Sequence, residues 1–179
     1  MKNIVLVGFM GTGKTEVGKI VAQRLQRQRL CLDDMIEWKV GKPVVRIFKE
    51  DGEPYFRKIE AEVVREASKD KNVVLDAGGG VVIDENNVKY LKEHGILICL
   101  MARAEVIYQR TKGHLHRPLL NTPDPVASID KLMKEREEYY NRADYKIDTS
   151  DVPLEEVADK VIEIYEHHEP ENRTHMVLT

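Results

Sequence analysis

The chain is poor in cysteine: it has two in 179 residues, Cys31 and Cys99, each in its own apolar run. That spacing argues against a disulfide scaffold or a cysteine-based metal cluster, and two reduced, buried thiols are the expectation. Long apolar stretches are missing too, and none approaches the length of a membrane span. No basic excess exists, because 28 Lys and Arg face 31 Asp and Glu for a formal charge of -3. A general nucleic-acid binder usually carries such an excess. A small anionic substrate stays open, since a few placed arginines suffice for one. Internal repeats and low-complexity segments are absent. No signal-peptide pattern precedes the first apolar run, so a cytoplasmic protein is expected.

What the chain does have is Gly8-Phe9-Met10-Gly11-Thr12-Gly13-Lys14-Thr15, which fits the phosphate-binding pattern G-x-x-x-x-G-K-[ST]. Ile4-Val5-Leu6-Val7 leads into it as a buried strand. An amphipathic helix leaves it, with Val17, Ile20, Val21 and Leu25 on one face. The glycines let backbone N–H groups turn toward phosphate oxygens. Lys14 supplies charge for the β and γ phosphates, the Thr15 hydroxyl suits Mg²⁺, and the helix N-terminus adds its dipole.

The rest of the chain alternates in the same manner, and its length fits one compact domain over 1–168 with a polar tail at 169–179. Leu30-Cys31-Leu32 reads as a second strand ending at Asp33-Asp34, with a helix beginning near Met35-Ile36. Carboxylates at a strand end lie where open α/β sheets place ligands. One acid for a ligand and one for the helix cap or solvent is the expectation. A short helix follows Gly41, and a longer one over 55–68 carries the stripe Phe56, Ile59, Val63 and Ala67. Arg57 and Glu60 flank that stripe, and both a ligand role and a surface ion pair remain open for Arg57. Val73 to Ala77 reads as a third strand, followed by Gly78-Gly79-Gly80, either a ligand-approach turn or a loose connection. A helix over 86–94, a strand over 96–100 and a helix over 104–111 come next. Residues 112–122 are basic, with His114, His116 and Arg117, and suit a lid over phosphates or a solvated loop. Ile129, Leu132, Met133, Arg136 and Tyr140 fall on one face of a further helix, so Arg136 requires a partner or a route to the rim. Tyr145 to Asp148 is a fifth strand, and Pro153 opens the last helix.

Strand, P-loop and helix, repeated with short connections, form a three-layer α/β/α sandwich around a five-stranded parallel sheet, of the P-loop kinase type. The finer pattern resembles shikimate kinase up to about residue 165. The matching residues are Gly8 to Thr15, Asp33, Ile36-Glu37, Gly41, Ile47-Phe48, Gly52-Glu53, Phe56-Arg57 and Ile59-Glu60, then Gly78 to Gly80, Arg110-Thr111, Arg117 to Leu120, and Arg136 with Tyr139. The resemblance implies ATP-dependent phosphorylation of the 3-hydroxyl of shikimate, on the chorismate route to aromatic amino acids, by a monomer that uses Mg²⁺. It implies that Asp33 binds the hydroxyl and orients or deprotonates it, and that Arg57 and Arg136 hold the substrate carboxylate beside Gly78, Gly79 and Gly80. Glu60 would orient an arginine. Lys14 and Arg117 would stabilise the transferring phosphoryl group, Gly11, Thr12, Gly13 and Thr15 would hold phosphates, and Arg110 and Pro153 would flank adenine. A related small-molecule kinase and a binding module with impaired catalysis are the alternatives. One position departs from the family: its usual D-x-D places an acid where this chain has Cys31, and a thiol suits Mg²⁺ poorly. Asp76, at the end of the third strand, could complete the Mg²⁺ shell with Thr15, or bond the glycine turn or the substrate arginines instead.

Overall fold

The computed structural model describes residues 2–113 and 122–168. Strand β1, Asn3–Val7, is buried along its whole length, as befits the middle of a parallel sheet. Its one polar residue is satisfied: Asn3 donates from Nδ2 to the Asp70 carbonyl at 2.7 Å and accepts the Val73 N–H at 3.1 Å. Around β1 stand β2 (Gln28–Cys31), β3 (Val73–Asp76), β4 (Gly95–Met101) and β5 (Tyr145–Asp148), in the order β2-β3-β1-β4-β5. Every neighbouring pair is parallel, so all five strands end on one rim.

The pleat divides the apolar side chains between two cores. Ile4, Leu6, Val74, Ile96 and Ile98 face α1 (Lys14–Arg24) and α9 (Leu154–His168), which contribute Val17, Val21, Val157 and Val161. Val5, Val7, Leu75, Leu97 and Cys99 face the opposite layer. That layer holds α2 (Leu32–Val40), α3 (Val44–Glu50), α4 (Glu53–Ala67), α5 (Glu85–His94), α6 (Ala104–Thr111), α7 (Pro125–Glu135) and α8 (Glu137–Tyr140). Each Ile or Leu buried this fully contributes roughly 1.5–3 kcal/mol relative to exposure. Three layers around a five-stranded parallel sheet are therefore what the alternating pattern implied. Among the described residues no helix is long and apolar enough to cross a membrane.

Local differences from the sequence reading concentrate around the rim. Strand β2 stops at Cys31, and α2 begins at Leu32, so Asp33 and Asp34 stand in the first turn of a helix rather than at a strand end. Neither carboxylate stands at the cap of that helix; Cys31 holds the N-cap position. The acids instead face the positive end of the helix dipole, and Leu32 drops fully into the core. Cys31 itself is half-buried, not buried like Cys99, and both thiols are free. The helix expected to carry Ile129 through Tyr140 breaks into α7 and α8, with Arg136 at the junction (φ -99°, ψ -1°). A 3-10 turn, Val81–Ile83, follows the glycines. The lid residue Arg117 and the tail 169–179 lie outside the described residues, as do His114 and His116.

Gly8 joins β1 to the P-loop at a φ of +138°, and a Cβ there would fall 2.1 Å from the Leu100 carbonyl oxygen. Gly8→Ala should therefore cost roughly 1–3 kcal/mol in backbone strain, before the overlap with β4 is counted. Gly18→Ala, within α1, meets only ordinary contacts, the nearest 3.5 Å away at Leu6, and should gain up to about 1 kcal/mol in helix propensity. Urea unfolding followed by circular dichroism measures both, and equal midpoints for the two variants would contradict this account.

Candidate active site

The site is built where β1, β2 and β3 end. Gly13 takes a left-handed conformation (φ 96°, ψ 10°) at the N-cap of α1, and no side chain caps that helix. Its first-turn N–H groups are thus left for an anion. Lys14 folds back over the loop and donates to the carbonyls of Gly8 and Phe9, each at 2.9 Å. The Thr12 hydroxyl donates to the Phe9 carbonyl at 2.8 Å and fixes the turn from inside. Gly11, Gly13, Lys14, Thr15, Asp33 and Asp76 share one cleft of about 450 Å³, which also takes in Gly78, Gly79, Gly80, Arg110 and Arg136.

The Thr15 hydroxyl donates to Oδ2 of Asp76 at 2.8 Å, so the P-loop is tied to the end of β3. In the β2–β3 ladder Asp76 lies opposite Cys31. Burial raises the Cys31 thiol above its ordinary pKa, with Asp76, Asp34 and Asp33 adding to the shift, while a hydrogen bond from the Asp34 backbone opposes it. A protonated thiol is not a ligand for a hard cation, whereas Asp76 and Thr15 offer oxygens. Among the described residues no three His, Cys, Asp or Glu side chains could hold a metal by themselves. Such a sparse set of oxygens fits Mg²⁺, which keeps its waters and takes phosphate oxygens as ligands.

Asp33 opens to the cleft, and its Oδ1 lies 3.9 Å from where a Cβ on Gly78 would stand. The protein packed around it raises its pKa above the usual carboxylate value; Asp76 adds to the rise and Lys14 opposes it. The room at the other two glycines is filled by protein. A Cβ on Gly79 would fall 2.8 Å from the Gly8 carbonyl oxygen, and one on Gly80 would fall 2.5 Å from Nη1 of Arg57.

Arg57 reaches this turn from α4. Its Nη1 donates to both oxygens of buried Glu60 at 3.0 and 2.9 Å, while Nε and Nη2 reach Glu53 at 3.2 and 3.1 Å. Burial raises the Glu60 pKa and Arg57 pulls it back, so the pair holds the guanidinium in one orientation. Arg136 comes from the α7–α8 junction, its guanidinium 5.8 Å from the centre of the Phe9 ring. Arg110, from α6, donates to the Thr149 carbonyl at 2.6 Å, the Thr149 hydroxyl at 3.0 Å and the Gly11 carbonyl at 3.3 Å. Pro153 lies just before α9, whose Leu154 side chain packs near Gly13.

Two contributors escaped the sequence reading. Tyr140 reads as a core residue by its spacing, yet its hydroxyl donates to the Gly79 carbonyl at 3.1 Å and braces the glycine turn. A tyrosine on a buried stripe must find a partner for that hydroxyl, and this was the available signal. Thr149 carries no pattern at all. Its hydroxyl sits 2.9 Å from the Thr12 carbonyl and accepts Arg110, joining the P-loop to the end of β5.

The cleft thus pairs a polyphosphate cradle with a carboxylate of raised pKa and a cation-suited oxygen pair, with Arg110 and Arg136 on its lining and Arg57 packed against Gly80. Such a set can move a phosphoryl group onto the hydroxyl of a carboxylate-bearing acceptor. A family model described as shikimate kinase matches residues 10–166. The shikimate kinase of Caldanaerobacter subterraneus subsp. tengcongensis is 48% identical over 165 residues, covering 92% of this chain and 96% of the relative. That of Pelotomaculum thermopropionicum is 45% identical over 168 residues, covering 94% and 98%. The solved shikimate kinase from Acinetobacter baumannii in complex with shikimate superposes with a TM-score of 0.86 at 36% identity, over 94% of each chain. With the fold, the P-loop and this likeness over nearly its whole length, the chain belongs to the shikimate kinase family.

Proposed function

We propose that the enzyme transfers the γ-phosphoryl group of ATP to the 3-hydroxyl of shikimate, giving shikimate 3-phosphate and ADP. The observation that carries this reading is the joining of the P-loop, Asp33 and the Arg136 side chain in one cleft, with Arg57 packed on the glycine turn at its wall. The shikimate oxygen attacks the γ-phosphorus, the bond from that phosphorus to the ADP oxygen breaks, and the hydroxyl proton passes to Asp33. Arg57 and Arg136 hold the shikimate carboxylate, a task suited to the planar guanidinium fork. Backbone groups of Gly78, Gly79 and Gly80 line the acceptor's side. Gly11, Thr12, Gly13, Lys14 and Thr15 cradle the phosphates, Arg110 and Pro153 flank adenine, and Arg117 joins Lys14 in offsetting transition-state charge. Thr15 and Asp76 would hold Mg²⁺, which when bound neutralises charge on the β and γ phosphates. The same reading makes the chain one domain over 1–168 and a cytoplasmic monomer acting on small anions. The overall charge of -3 supports a partner other than nucleic acid.

Coupled ADP-release assays with shikimate, quinate and gluconate test the reaction itself. Arg57→Ala and Arg136→Ala should each weaken shikimate binding about tenfold or more, as expected when a charge-assisted hydrogen bond is lost, while ATP affinity stays nearly intact. Calorimetric titration of both ligands decides the point, and a loss confined to ATP would refute the assignment.

Asp33 must be ionised to accept a proton, and its raised pKa moves that requirement to higher pH. As pH falls, kcat/KM should drop with an acid limb above about 3.9, the ordinary Asp value. Asp33→Asn should remove that limb along with most of kcat. An acid limb that survives in Asp33→Asn belongs to another group.

Asp76→Asn should need far more Mg²⁺ for half-maximal turnover, and adding Cys31→Asp to it should recover part of the loss. An unchanged Mg²⁺ requirement in Asp76→Asn would sink the metal assignment.

A further inference from the structure

Arg29 stands on β2 beside the active site, and the mechanism above gives it no task. In the ladder it pairs with Val74, and Cys31 pairs with Asp76. The pleat therefore puts Arg29, Cys31, Val74 and Asp76 on one face of the sheet, the face covered by α1. The Arg29 stem runs beside Gly18 of α1, toward the rim where Asp76 meets Thr15. Its Nη1 is buried and finds no hydrogen-bond partner among the described residues, yet lies 3.7 Å from Oδ2 of Asp76. That separation is within ion-pair range but beyond a hydrogen bond. A buried guanidinium nitrogen left without a partner is costly, and this one is aimed at a single carboxylate.

Asp76 has its own need for such a neighbour. Its side chain is only 6% exposed, and Asp33 lies on the same cleft. The Thr15 hydroxyl engages Oδ2 by a hydrogen bond. We infer that Arg29 is a positioning residue for Asp76. It holds Oδ2 against Thr15 and so presents the other carboxylate oxygen to the water shell of Mg²⁺. The inference rests on the reading of Asp76 and Thr15 as the oxygens that face the metal. It also accounts for how an acid on β3 serves this rim while its opposite number on β2 is a thiol: the arginine two residues before Cys31 supplies the charge that seats it.

The sign of one measurement separates this role from that of a bystander. Removing a nearby positive charge strengthens cation binding if the charge merely repels the metal. If Arg29 seats Asp76, removing it weakens binding, as loss of an outer-shell partner does. The test compares Arg29→Met, Arg29→Lys and Asp76→Asn with the unaltered chain. Two quantities are read: ADP affinity by calorimetry with and without Mg²⁺, and the Mg²⁺ concentration for half-maximal turnover. Arg29→Met should raise the Mg²⁺ requirement by about tenfold and erase much of the tightening of ADP by Mg²⁺, while metal-free ADP binds as before. Arg29→Lys should recover part of both. An unchanged or lowered Mg²⁺ requirement in Arg29→Met overturns the inference, as does a lysine variant no better than the methionine one. If Arg29→Met loses its folded circular-dichroism spectrum, Arg29→Gln takes its place, and failure of both to fold overturns the role by making Arg29 a scaffold residue. If Asp76→Asn itself leaves the Mg²⁺ requirement unaltered, the metal reading of Asp76 falls; if it shifts and Arg29→Met does not, only the role of Arg29 falls.

Discussion

Everything at the rim depends on how closely the backbone at Gly8 approaches its neighbours. Its α-carbon lies against the Leu100 carbonyl of β4, leaving no room for a side chain. Its own carbonyl accepts Lys14 and sits where Gly79 can approach only because it also lacks a side chain. One peptide thereby gathers the ends of β1, β3 and β4. The P-loop, the glycine turn and the first turn of α1 are thereby brought together, and the Thr15–Asp76 and Lys14–Gly8 bonds hold them there. Arg57 and Tyr140 secure the glycine turn from behind, through Gly80 and the Gly79 carbonyl respectively.

Much of this architecture is legible in the residues. Ile4 to Val7 is continuous and apolar because a central parallel strand is buried on both faces, and Gly8 to Thr15 carries its own geometry in its spacing. The stripe Phe56, Ile59, Val63 and Ala67 reads as a helix because one period governs all four. Legibility fails where a position depends on a neighbour distant in sequence. Asp33 looks like a strand end because Leu30 and Leu32 are both apolar, yet Leu32 serves the core as a helix residue. Arg136 fits the helical period through Tyr140, but the chain turns at that residue. Arg29 and Asp76 stand 47 positions apart, and only the parallel register of β2 on β3 brings them to one face. No local pattern encodes that register.

At this rim the acid stands on β3 and the thiol on β2. Cys31 and Asp76 are directly opposite in the ladder, so a carboxylate on either strand enters the same few ångströms of the rim. On β3 it stands nearer the centre of the sheet, under better cover, and bonds the P-loop hydroxyl directly. Deeper burial demands a compensating charge, which the edge strand can supply with a long side chain.

The grip of Glu53 and Glu60 on Arg57 bears on how any anion would be received there. Glu60 is buried and holds Nη1 with both oxygens, whereas Glu53 holds Nε and Nη2 from an exposed position. A carboxylate arriving at Arg57 would meet a guanidinium whose charge these two acids already offset in part. Little long-range attraction would be left for dissolved ions to screen. The guanidinium would instead act at contact range, in an orientation set before any guest arrived.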